Sequence, residues 1–196
     1  MISRSNSKLL ISNFKSIVDF SSDAQSINNF INLTEEKLYE GWHDKPKFVE
    51  GYERNITFLG AKSTLYWNIK QLRKFSNKFS TQSFPTHKLL NVVDMFNINF
   101  NHLNSSSKKP ILLVELPFVH EGYCIADGNH KIVAAHRNSH PLVNAIYFNY
   151  KSHYKFMSKP SSELFKIFCD INFYVLKKNN AISLEQLNNS SFYLKL

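Results

Sequence analysis

Cysteine, glycine, proline and arginine are all scarce in this chain of 196 residues. Cys124 and Cys169 are the only cysteines, and both sit among apolar neighbours, as small hydrophobes do. Two such residues exclude a disulfide framework and a cysteine-based metal site, and a reducing, cytosolic location is the default expectation. Long apolar runs are missing too. Leu9-Leu10-Ile11 gives way at once to Ser12 and Asn13, which is too short for a signal-peptide core. No segment is long enough to span a membrane, so a membrane partner is not expected. Export as an effector through a specialised secretion system stays compatible with this pattern. Glycine and proline are few, while 17 Phe and 9 Tyr bring aromatics to 14% and argue against disorder. With 43% hydrophobic residues the chain can bury a sizeable core, as one domain with extensions or as two small ones.

Negative charge is scarce in the middle of the chain. The net charge is +9, yet the first third is slightly acidic through Asp19, Asp23, Glu35, Glu36, Glu40, Asp44, Glu50 and Glu53. In the middle, Lys62, Lys70, Arg73, Lys74, Lys78, Lys88, Lys108, Lys109, Lys131, Arg137, Lys151, Lys155 and Lys159 face only Asp94, Glu115, Glu121 and Asp127. Such a segment attracts phosphates, of a nucleotide or of nucleic acid. A solubilising lysine surface is the rival account. With only four arginines in the chain, bidentate phosphate or base contacts have few candidates.

The pattern of apolar residues predicts an α+β protein without internal repeats. Residues 1–54 read as a helical extension, with Leu10, Phe14, Ile17 and Val18 on one face and Ile27, Phe30 and Ile31 on the next. Ser21-Ser22-Asp23 offers a cap for the second helix, and Thr34 begins a short third one that stops near Gly41 before Pro46 breaks the chain. The main domain is expected over 55–150 and a helical C-terminal extension over 151–196. Strands are predicted at 56–59, 64–69, 111–116, 123–126 and 143–148. Lys70 to Thr86 reads as a basic, irregular stretch. Leu89, Val92, Val93, Phe96 and Phe100 read as one helical face, followed by a loop over 104–110.

The most informative stretch is Tyr123-Cys124-Ile125-Ala126-Asp127-Gly128-Asn129-His130-Lys131. A short apolar strand breaks at Asp127-Gly128, and the helical run Ile132-Val133-Ala134-Ala135 follows. A strand that turns sharply into a helix presents free N–H groups that favour an anion, most often a phosphate. Gly128 lets the backbone bend and a ligand come close. Asn129, His130 and Lys131 add donors and positive charge. Asp127 has three open roles: capping the helix, holding a Mg²⁺-associated water, or accepting a proton. His130 is either a phosphate donor or a packing residue. His120, His136 and His140 lie near in sequence, but the spacing does not favour a metal site. Glu115 interrupts an apolar strand. It points outward to solvent or, if it faces the cleft beside the box, it is the best available acid or base. Lys70, Arg73, Lys74 and Lys78, interleaved with Phe75 and Phe79, suit single-stranded nucleic acid or form a solvated loop with two anchors.

This order of elements resembles the ParB/sulfiredoxin superfamily domain over roughly half of the chain. The resemblance rests on Leu65-Tyr66-Trp67-Asn68-Ile69-Lys70-Gln71-Leu72, the helix near 87–102, Pro110-Ile111-Leu112-Leu113-Val114, the Asp127–Lys131 box and Leu142–Tyr147. It implies a small mixed sheet with helices, flanked here by helical extensions. It also implies that Asp127, Gly128, Asn129, His130 and Lys131 grip phosphate. ParB proteins use the box for CTP, sulfiredoxins for ATP, and the free serine kinases for ADP or ATP. Lys131 stands where arginine is usual. Asn129 occupies the neighbourhood of the sulfiredoxin catalytic cysteine, which argues against that chemistry. Lys70 to Thr86 holds no carboxylate where the serine kinases place their base, and the ParB arginine-rich box is reduced to Arg73 and Lys74.

Three functions are therefore expected, in this order. The first is a nucleotide- or phosphate-binding protein taking ATP, ADP or CTP with Mg²⁺. It would carry hydrolysis or phosphotransfer if Asp127 or Glu115 acts as catalytic base. The second is a DNA-associated accessory protein of a mobile element. The third is a toxin or effector using the same cleft.

Overall fold

The computed structural model describes residues 2–18, 20–39, 48, 50–95, 98–100, 103 and 109–196. It is a mixed α+β structure that divides into two compact units. Both units are assembled from separated stretches of chain, so the contiguous division expected at 54 and 150 does not coincide with them.

The first unit contains α1 (Arg4–Ile17), α2 (Phe20–Tyr39), most of the hairpin β1 (Gly51–Phe58) and β2 (Ala61–Asn68), α7 (Lys159–Lys178) and α8 (Leu184–Ser190). Helix α1 starts at Ser3, whose side chain accepts from the Asn6 N–H. Its buried stripe Leu10, Ile11 and Phe14 repeats at helical spacing, and the Phe14 ring meets Phe30 and Tyr174 edge-on at 5.7 and 5.6 Å. Helix α2 kinks at Asp23 and then runs through Thr34, so the expected third helix is its continuation. Gly41 and Pro46 lie outside the described residues. The β1–β2 turn places Leu59 and Gly60 at φ +47° and +76°, and the Asn13 amide donates to the Leu59 carbonyl at 2.7 Å.

Helix α7 is capped by Ser158 and buried along most of its length. Its Asp170 is fully buried and accepts the N–H groups of Phe192, Tyr193 and Leu194 at 2.6, 2.6 and 2.9 Å. Three consecutive amides on one carboxylate tie the C-terminal residues to α7.

The second unit holds a four-stranded sheet in the order β3 (Gln82–Pro85), β6 (Leu142–Phe148), β4 (Ile111–Glu115), β5 (Tyr123–Asp127). Strand β4 pairs parallel to β6 and antiparallel to β5, while β3 pairs antiparallel to β6. Ile111 to Val114 are fully buried, as expected of a central strand covered on both faces. Ile111, Leu113, Ile125 and Ala145 share one face with Leu89 of α4 (Thr86–Leu90) and with Ile132 and Val133 of α5 (Asn129–Arg137). The opposite face carries Leu112, Val114 and Phe148, with the Phe79 ring 4.7 Å from Phe148.

Two local expectations change. The stretch Lys70 to Thr86 is not irregular: it forms α3 (Ile69–Ser76) and then β3. Asn68 caps α3 by accepting from the Gln71 N–H at 3.0 Å, and Leu72 anchors it with no exposed surface. Of the helix expected near 87–102, the described residues form only the short α4. Leu89, Val92 and Val93 are buried as expected, but Phe100, expected on the same face, is exposed, and Phe96 and 104–108 lie outside the described residues. Among the described residues no helix is long and apolar enough to cross a membrane.

Asp170→Ala leaves three amides without their acceptor. The expected loss is about 3 kcal/mol or more, since bonds to charged groups contribute about 1.5–3 kcal/mol each. Urea unfolding of the purified variant measures it, and an unchanged midpoint would contradict the bonding described.

Candidate functional site

Strand β5 ends at Asp127 and the chain turns through Gly128 into α5. Gly128 has φ +111°, and a Cβ there would lie 2.4 Å from Ile111 Cγ2 and 2.8 Å from Ile111 Cβ. Only glycine permits this approach of the turn to β4. The β4–β5 register shifts between Leu112 and Leu113, so that Asp127 stands opposite Leu112 rather than following the alternation set by Ile125. Directly opposite residues share a face, so the shift turns Asp127 away from the α4–α5 side.

Asp127 does not cap α5. The capping position is Gly128, which makes no side-chain bond. Instead the Asp127 carboxylate accepts from Arg73 Nε at 2.5 Å and from a second guanidinium nitrogen, while Arg73 also donates to the Pro110 carbonyl at 2.5 Å. One planar fork thus joins α3, the entry to β4 and the end of β5.

The other box residues are likewise engaged within the chain. Asn129 Oδ1 accepts from the Asp94 N–H at 3.0 Å, and His130 Nε2 accepts from the Asn99 N–H at 2.8 Å. An accepting Nε2 is an unprotonated one. Lys131 Nζ donates to the Lys109 carbonyl. Partial burial and then the neighbouring Arg73 push the Lys131 pKa below the ordinary lysine value, against the opposing pull of Asp127. What the box still offers an anion is the first turn of α5, where the Asn129 and His130 N–H groups precede the first intrahelical bonds.

Beside the box lies a cleft of about 470 Å³. Arg73, Lys74 and Lys109 supply its charge, Ser76, Asn77 and Thr81 its neutral polar groups, and Phe79 and Ile146 its apolar wall. Among the described residues no carboxylate lines it. Arg73 is spoken for by Asp127. Lys74 and Lys109 carry no ion pair among the described residues.

The sequence-predicted cations Lys70, Arg73, Lys74 and Lys78 fall on α3 and the turn after it. Lys70, Lys74 and Lys78 are exposed at four-residue spacing, and Arg73 is partly buried. Lys78 Nζ lies 5.1 Å from the Phe75 ring centre. Phe75 packs on Phe79 and Phe156 at 5.4 and 4.9 Å and is a half-buried anchor, while Phe79, also half-buried, turns part of its surface to the cleft.

Glu115 is not part of this cluster. It stands opposite Tyr123, three residues or about 10 Å of strand from Leu112, the partner of Asp127. Its Oε2 accepts the Tyr150 N–H at 2.9 Å at the start of α6 (Tyr150–His153), and its carbonyl bonds His153 Nε2 at 2.7 Å. Trp67 Nε1 donates to His153 Nδ1 at 3.2 Å. The indole can only donate, so His153 is the neutral tautomer with its proton on Nε2. Burial, then Glu115, pushes the nearby Tyr147 up to about 12, and it stays a neutral phenol. No cluster of metal-ligating side chains occurs among the described residues.

Lys109 was not singled out from sequence as a site residue. The signal that could have found it is the absence of carboxylates: Lys109 lies in the stretch 95–114, which contains no Asp or Glu, and neither does 54–93, which supplies the α3 side of the cleft. No protein-family model, curated protein or solved structure matches this chain.

Gly128→Ala forces a methyl group into Ile111 at a strained φ. It is expected to cost about 3 kcal/mol, at the upper end for overpacking, and a thermal melt would show it. His153 generates a pH dependence. Complete burial lowers its pKa from 6.5 to about 4, against the opposing bond to the Glu115 carbonyl. Between these values the unfolded chain binds the extra proton. Stability is therefore expected to fall by about 3 kcal/mol as pH drops through this window. Urea midpoints across it measure the slope, and His153→Gln, which can still accept from Trp67 and donate to Glu115, should flatten it.

Proposed function

We propose that this protein binds a nucleotide or similar phosphate-bearing ligand in the cleft between α3 and the Lys109–Pro110 segment. The carrying observation is the composition of that cleft: among the described residues it has three cationic side chains, neutral donors, one aromatic wall and no carboxylate. Its volume lies within the range of small-ligand pockets, about 300–1,000 Å³. The order of strands and helices around the box, which resembles the ParB/sulfiredoxin domain, supports the same reading.

Lys74 and Lys109 would take the phosphate charge as point charges, with Arg73 holding the walls together. Mg²⁺ would accompany a di- or triphosphate and offset its charge. Asn77 and Thr81 offer hydrogen bonds to the rest of the ligand, and Phe79 an apolar surface. Binding is the reading rather than phosphotransfer. Asp127 is paired with Arg73, and Glu115 is bonded at the far end of β4, so neither stands ready as a general base.

The test is the melting temperature of the full chain with ATP, ADP, CTP and GTP, each with and without Mg²⁺. A nucleotide at about 100 times its Kd adds about 3 kcal/mol and raises Tm by roughly 6–10 °C. Lys109→Ala and Lys74→Ala should remove most of that rise while leaving the unliganded Tm within a few degrees. Equal shifts in the wild type and both variants would place the ligand elsewhere.

A further inference from the structure

We infer that the natural occupant of this cleft is one unit of a single-stranded nucleic acid, whose backbone continues along a lysine strip outside it. The inference rests on the phosphate reading of the cleft and extends it to a polymer. Helix α3 carries Lys70 and Lys74 one turn apart, and Lys78 follows in the next turn, all exposed. Lys74 belongs to both the strip and the cleft. Across the Phe75–Phe156 contact at 4.9 Å, the 3-10 turn Tyr154–Phe156 presents exposed Lys155, with its Nζ 6.0 Å from the Tyr154 ring centre.

No ion pair holds Lys70, Lys74, Lys78 or Lys155 among the described residues. The reason lies in the sequence: α3 and the 154–156 turn come from the two carboxylate-free stretches, 54–93 and 128–162. A surface kept cationic to this degree is more than a free mononucleotide requires. It suits a polyanion, whose condensed counterions are released on binding.

Three features favour a single strand over a duplex. A cleft of about 470 Å³ has room for one nucleotide, and a paired, stacked base cannot enter it. The Phe79 ring at its wall is held by Phe75 and Phe148, so it is a rigid platform rather than a mobile side chain. The strip is lysine, not arginine. Point charges follow a flexible backbone without the bidentate geometry that reads base pairs. The expected binding is tolerant of sequence and strongly dependent on salt.

The experiment is fluorescence anisotropy of the full chain with labelled oligothymidylate and oligouridylate of about 12 nucleotides. A duplex of the same length and Mg²⁺-ATP run beside them. Engagement of the strip and one cleft phosphate predicts a log–log salt slope of roughly −3, or about 60-fold weaker binding for a fourfold rise in salt. The double variant Lys70→Glu/Lys155→Glu, both exposed and outside the cleft, should weaken oligonucleotide binding at least tenfold with its Tm unchanged. Lys109→Ala should weaken it as well. ATP binding with no oligonucleotide binding would overturn the inference and leave the phosphate cleft standing. Oligonucleotide binding insensitive to Lys109→Ala, or a duplex bound as tightly as a single strand, would overturn the placement of a nucleotide in the cleft. No binding of either ligand class would sink both readings together. The DNA and RNA arms show which polymer is preferred.

Discussion

One guanidinium group organises the candidate site. Arg73 reaches from α3 to the Asp127 carboxylate at the end of β5 and to the Pro110 carbonyl at the entry to β4. Three segments far apart in sequence meet on this planar fork. A lysine could not replace it, because a single ammonium does not present donors in two fixed directions. The cleft exists because α3 is held at that distance from Lys109 and Pro110. Arg73 is paired with Asp127 in doing so, and among the described residues the unpaired cationic charge at the cleft falls to Lys74 and Lys109.

The box next to it shows how one set of side chains answers two demands. Donors and acceptors that suit a phosphate also suit backbone groups of a neighbouring loop. Asn129 and His130 accept from the Asp94 and Asn99 amides, and Lys131 donates to the Lys109 carbonyl. These bonds tie Asp94, Asn99 and Lys109 to the start of α5. They also link the box mechanically to the cleft, since Lys109 is both the acceptor for Lys131 and a wall of the cleft. The site is therefore a folded support with a cationic opening beside it. The box itself does not display free side chains.

Much of the fold was legible locally. The apolar run Ile111–Val114 could only be a covered strand, and the 3.6-residue stripes of α1 and α7 announced their buried faces. The α3 segment was not legible, because a helix of two turns carries too few apolar residues to show a period. Lys70 and Lys74 point outward, and Ile69 and Leu72 are the fully apolar residues of its buried face. The fourth strand, β3, was missed for a similar reason: four residues at a sheet edge, two of them exposed, give no alternation to read.

What the sequence determined by itself is the content of the protein: an α+β chain, a glycine-hinged turn between a strand and a helix, and a middle poor in carboxylates. These follow from local periodicity, turn chemistry and composition. Tertiary structure alone decided which groups meet. Both Asp127 and Glu115 were candidates for one catalytic cluster, yet they occupy opposite ends of the β4–β5 pair. Asp127 faces Arg73 because a one-residue register shift carried it to the other side of the sheet. Strand register is set by long-range pairing and by burial of one face against another, and a local window of sequence contains neither.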